Sequence, residues 1–156
     1  MKKLQFKKNL SKFFVAIFAL TLFSFQQVNA QKLVTVKSAK SYDATVDAIK
    51  KGVAGAGMMV LAEINHGKIL SMTGLSINAQ SIFIGNPNVG NQAFTDNKAV
   101  GLAIPIRLNV YAENGTTYIN YFTPSSELGN FKGGKIKMIG GGLDKKITML
   151  TSMASK

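Results

Sequence analysis

The chain has 156 residues, with 19 lysines and arginines against 7 acids, one histidine and no cysteine. The missing cysteine excludes a thiol nucleophile, a thiolate metal site and a lipidated N-terminal cysteine, and a single histidine excludes a histidine-rich metal cage. The net charge of +12 favours anionic surfaces or acidic partners.

Lys2, Lys3, Lys7, Lys8 and Lys12 precede an apolar run over residues 13–25, and Val28-Asn29-Ala30 supplies small or apolar residues where a signal peptidase reads. This is the pattern of a secretory signal peptide over residues 1–30, cleaved after Ala30. The run is well short of the ~20 residues a bilayer-crossing helix needs. The sequence therefore predicts export, periplasmic or secreted, and a single domain over residues 31–156. That domain carries 14 basic and 7 acidic residues, net +7, and is long enough to bury a core without cross-links. Export makes nucleic acid a poor partner, so none is assigned. Six of its lysines fall in the last 25 residues against Asp144 alone. Peripheral contact with an anionic envelope surface is one reading of that end; a solvated lysine face is the plainer one.

Residues 33–36 alternate weakly and are predicted as a first strand. Ser41 is placed to cap a helix in which Tyr42, Val46, Ile49 and Val53 form one apolar stripe. Asp43 and Asp47 near its start and Lys50 and Lys51 near its end suit the helix dipole. Gly52, Gly55 and Gly57 close it. Residues 58–64 are almost wholly apolar and short, the mark of a buried strand. Residues 67–79 are looser, with room for a brief helix. Residues 81–84 form another short strand, stopped by Gly85-Asn86-Pro87. Residues 91–97 read as a helical turn, and Pro105 opens the next strand. Gly140 to Gly142 precede a last helix with Leu143, Ile147, Leu150 and Ala154 on one stripe.

Between them lies a hairpin whose register follows from its turn. A two-residue Asn114-Gly115 loop implies a type I′ turn. Glu113 then faces Thr116, Tyr111 faces Tyr118, Asn109 faces Asn120 and Arg107 faces Phe122. Val110 opposite Ile119 and Leu108 opposite Tyr121 fall on the other side. Ile106, Leu108, Val110, Ala112 and Ile119 make the core face, and the reverse face is a mixture of arginine, asparagine and aromatics. The element order is α+β: a mainly antiparallel sheet with helices on one face, in a β-α-β(4)-α-like order.

Several motifs occur together and in order: SYDATVDAIKKGV opening a helix, VLAEINH as a strand ending in histidine, SIFIGNPNVG, and GLAIPIRLNVYAENG leading to a tyrosine and a proline. The stretch from Ser41 to Pro124 resembles the domain-of-unknown-function family numbered 302. Members often carry Leu-Met where this chain has Ala93-Phe94, and Trp where it has Tyr111. The resemblance implies a fold similar to TATA-binding-protein-like α+β domains, and no established reaction.

Candidate chemistry is sparse. His66 is placed to bond a neighbouring backbone group at its strand end or to touch a ligand. Glu63-x-x-His66 has the spacing of di-iron helix ligands, but on a strand residues three apart point to opposite faces. Gly85-x-x-x-x-Gly90 follows a strand, but Asn91 and Gln92 stand where a phosphate loop needs lysine and a hydroxyl, so a structural turn is the better reading. No Gly-x-Ser-x-Gly elbow is present. Met58, Met59, Met72 and His66 have the softness for copper(I), but core packing is the commoner use of methionine. No catalytic residue, metal or cofactor is assigned. The expected contact set is His66, Asn86, Arg107, Tyr111, Tyr118 and Phe122. Arg107 is expected to lie over Phe122 as a cation–π pair, and the tyrosines to offer flat contact area. The leading expectation is a non-catalytic module binding a small ligand or protein, self-associating as a homodimer. An enzyme built on His66 with Asn86 or Glu63, and a basic envelope-associated structural protein, are the two alternatives.

Overall fold

A computed structural model describes residues 30–156. The expected signal peptide falls on residues outside these, except for Ala30. Five strands, β1 (Leu33–Ser38), β2 (Met59–Asn65), β3 (Ala79–Gly85), β4 (Ile106–Glu113) and β5 (Thr116–Phe122), form one sheet in the order β1-β5-β4-β3-β2. Every neighbouring pair is antiparallel. The helices are α1 (Tyr42–Gly55), α2 (His66–Leu70), α3 (Pro87–Asp96), α4 (Pro124–Leu128) and α5 (Ile136–Ala154). The class is α+β, as the sequence predicts.

The two long helices form the second layer. Ser41 caps α1 by accepting from the Ala44 N–H, and α1 buries Val46, Ile49 and Val53 along the expected stripe. Helix α5 lies against it, so close at Gly52 that a Cβ there would meet the Leu150 side chain at 2.7 Å. Ile82, Ile84, Ile106, Leu108, Val110 and Ile119 pack under these helices with Ile136, Leu143, Ile147 and Leu150 of α5. Alternation along the strands places this core on one face only.

The hairpin forms in the predicted register. Asn114 and Gly115 both have positive φ, 49° and 75°, as a type I′ turn requires. Glu113 faces Thr116, Tyr111 faces Tyr118, Val110 faces Ile119 and Asn109 faces Asn120.

Three expectations need correction. The apolar segment 58–64 is not a buried strand: Met58 is buried, but β2 pairs only with β3, forms a sheet edge and is largely exposed. The last helix begins at Ile136, so Gly140 to Gly142 lie inside α5 instead of ahead of it. Gly140 is needed there because α4 crosses closely, and a Cβ at this position would stand 2.9 Å from the Ser125 Cα. The helix expected at residues 91–97 starts earlier, at Pro87, because the Asn86 side chain accepts from the Asn88 and Val89 N–H groups and fixes the first turn.

Candidate functional site

Opposite the core, the sheet presents three rows of side chains that run across the strands. The middle row is Ile64, Ser81, Asn109, Asn120 and Thr35, taken from β2 to β1. On one side, Ala79, Tyr111, Tyr118 and Lys37 make a second row. On the other side, Phe83 stands opposite Arg107, and Phe122 opposite Leu33. Neither long helix covers these rows. Each strand contributes to both faces, so burying the aliphatic set necessarily turns this polar and aromatic set outward.

A cavity of about 400 Å3 opens over the rows, lined by His66, Ser81, Arg107, Asn109, Asn120 and Phe122 together with Leu33, Tyr121 and Glu127. Its polar groups are partly committed. The His66 Nε2 lies 2.8 Å from the Ser81 hydroxyl. Asn109 Nδ2 donates to Asn120 Oδ1 at 3.0 Å. Glu127 comes from α4, which Pro124 starts and whose N-terminal turn closes on Thr123. Desolvation holds its carboxyl above the ordinary carboxylate range, opposed by the nearby Arg107 cation.

The structure thus gathers His66, Arg107 and Phe122 around one cavity. Tyr111 and Tyr118 belong to the same face one row further along the hairpin, their rings stacked at 5.3 Å with a 24° interplanar angle. Among the described residues that is the aromatic contact present, so the expected Arg107–Phe122 cation–π pair is replaced by two walls of a shared cavity. Asn86 is elsewhere. It caps α3, and its Nδ2 donates to the Gly57 carbonyl at 2.7 Å. By capping the first turn, its side chain also occupies N–H groups that a phosphate would need, which makes the Gly85-to-Gly90 loop a structural turn.

Glu63 is likewise separated from His66. It pairs with Lys50 of α1 at 2.7 Å and accepts from Gln80, on the helix-covered face opposite Ile82. The expected structural partner of His66, a backbone group, is instead the Ser81 side chain. Sequence reasoning missed Ser81, Glu127 and the role of the Asn109–Asn120 pair. A Thr123-Pro124 pair, with proline at a first helical position, was the available signal for the helix that delivers Glu127.

A solved structure described as an uncharacterized conserved protein DUF302 from Bacillus stearothermophilus superposes with a TM-score of 0.74 at 23% identity, covering 81% of this chain and 100% of that one. At that identity the likeness carries the fold. Among curated proteins, the fluoride-specific ion channel FluC 1 of Brucella suis biovar 1 (strain 1330) is 33% identical over 76 residues, 48% of this chain and 30% of the channel protein. FluC 1 of Brucella abortus biovar 1 (strain 9-941) matches at the same identity over 28% of its length. The chain therefore spans under a third of these relatives. The family profile described as Domain of unknown function DUF302 matches residues 34–153, and the chain belongs to that family.

Proposed function

We propose that the domain is an exported, non-catalytic binding module that holds a small polar ligand on the uncovered face of its sheet. The observation that carries this is the convergence of Arg107, His66, Asn109, Asn120, Phe122 and Glu127 on one cavity, on a face the long helices leave free. Pockets for small ligands combine apolar walls with a few convergent polar groups, and this cavity has both. Export rests on the leader pattern of residues 1–30.

A catalytic reading centred on His66 has less support. The His66–Ser81 pair has the spacing of a base and a nucleophile, but Ser81 is only 4% exposed. Glu63 and Asn86, the residues expected to assist, serve other partners. The channel activity of the longer relatives is not carried over either, since no described helix is long and apolar enough to cross a membrane. Fluoride enters only as a probe.

The test is an NMR titration of residues 31–156 with a panel of fluoride, small carboxylates, amino acids and sugars, repeated on Arg107→Ala and Tyr111→Ala. Shifts clustered on β4 and β5 and lost in Arg107→Ala support the module. Shifts unaffected by both substitutions would overturn the site.

A second reading is favoured by the outer face of α5, where Met138, Met149 and Met153 are 71%, 65% and 67% exposed near Lys137 and Lys145, with Lys156 just past the helix end. Exposed thioethers beside lysines suit peripheral contact with an anionic envelope surface. Co-sedimentation with anionic vesicles that fades between low and high salt supports it, and salt-independent or absent binding counts against it. Self-association draws on the edge strand β2, where Met59 and Leu61 are half exposed.

A further inference from the structure

The cavity on the uncovered face holds two opposite charges that are not joined in an ion pair. Arg107 borders it from β4 and Glu127 from α4. They are near enough for the Arg107 cation to act on the Glu127 carboxyl. An Arg–carboxylate fork would satisfy both groups. Among the described residues, however, the ion pair formed is Lys50 with Glu63, on the other face of the sheet, and no ion pair joins Arg107 to Glu127.

The remaining lining follows the same logic. The Asn109–Asn120 bond uses one amide donor and one amide acceptor, which leaves the Asn109 oxygen and the Asn120 nitrogen with free capacity. Leu33 and Phe122 add apolar wall. The space, about 400 Å3, is at the small end of ligand sites.

We infer that the cavity recognises a small zwitterion, an amino carboxylate of amino-acid size, with its carboxylate on Arg107 and its ammonium on Glu127. This rests on the reading of the uncovered face as a ligand site and names the ligand class. A simple anion would meet Arg107 but leave the Glu127 carboxylate facing like charge. A simple amine would meet Glu127 and leave the guanidinium unmatched. A zwitterion bridges the pair, and a side chain of moderate size lies against Leu33 and Phe122. Discrimination comes from the mismatched charge each analogue leaves behind.

Calorimetric titration of residues 31–156 with three isosteric probes tests it: leucine, 4-methylpentanoate, which lacks the ammonium, and 3-methylbutylamine, which lacks the carboxylate. Leucine is expected to bind at least tenfold more tightly than either analogue. Arg107→Gln and Glu127→Gln should each weaken leucine tenfold or more, with unchanged circular dichroism. Glu127→Gln should also erase the preference for leucine over 4-methylpentanoate. Equal or tighter binding of 4-methylpentanoate would overturn the zwitterion while leaving a ligand site in place. No binding of any of the three would also overturn it, and the wider titration panel then decides whether the face binds anything.

Discussion

The two faces of the β4–β5 hairpin are built from the same seventeen residues, 106–122, yet they obey different rules. Leu108, Val110 and Ile119, one set of alternate residues, are 0% exposed beneath α1 and α5. Arg107, Asn109, Tyr111, Tyr118, Asn120 and Phe122, the other set, are exposed or half-buried. The first face stabilises the domain by removing apolar surface from water. The second contributes little to that, so its composition is free to serve recognition. Polar groups tied in pairs, His66 with Ser81 and Asn109 with Asn120, hold its side chains in place without filling the space above them.

If the contrast is real, substitutions should sort by face. Leu108→Ala, under the helices, should cost about 2–5 kcal/mol in urea unfolding, a large share of the ~5–15 kcal/mol that holds a domain folded. A cost below ~1 kcal/mol would mean the core is not where it has been described. Next in size is the contact of α4 with α5. Gly140→Ala drives a Cβ to 2.9 Å from the Ser125 Cα and should cost about 1–3 kcal/mol. Gly142→Ala, two residues on, meets nothing within 4 Å and should stabilise by about 0.5–1 kcal/mol through helix propensity. Equal effects at the two positions would contradict the packing.

Glu127→Gln sharpens the comparison through pH. The folded-state pKa of Glu127 is raised, chiefly by desolvation, from an ordinary value of 4.5. Folding is therefore favoured by the bound proton below that value, and this advantage is lost as pH rises through the raised one. The stability of the parent protein relative to Glu127→Gln should fall across that window and then stay level to neutral pH. A constant difference at all pH values would remove the desolvated setting assigned to Glu127. Smallest of all, Arg107→Ala on the open face should change stability by no more than about 0.5 kcal/mol. A loss of several kcal/mol would make Arg107 structural.

The hairpin was legible because Asn114-Gly115 admits few turn geometries and a turn sets the register of everything beside it. That register puts Arg107, Tyr111, Tyr118 and Phe122 on one face. The stripes of α1 and α5 were legible for a similar reason, since Val46, Ile49 and Val53, or Leu143, Ile147 and Leu150, repeat at helical spacing. Strand β2 was not, because an apolar run reads alike at the centre of a sheet and at its edge, and the sheet order decides between them. The glycine run in α5 misled because close approach by α4 at Gly140, a tertiary demand, outweighs the usual helix-breaking cost there, while Gly141 and Gly142 meet nothing within 4 Å and only lower the helix propensity. Glu127 was out of reach for the same kind of reason: its place beside Arg107 depends on how α4 turns back after β5. Asn86 pointed toward a site by its motif and proved to be a cap.

The central claim is that ligand contact and stability reside on opposite faces. The most direct measurement is an amide-shift map of residues 31–156 with leucine, combined with the unfolding free energy of Arg107→Ala. Shifts centred on Arg107, Asn109, Asn120 and Glu127, abolished in a variant of undiminished stability, are the predicted result. Shifts centred instead on the apolar groove formed by Leu61, Phe94 and Pro105 at the other side of the sheet would contradict it.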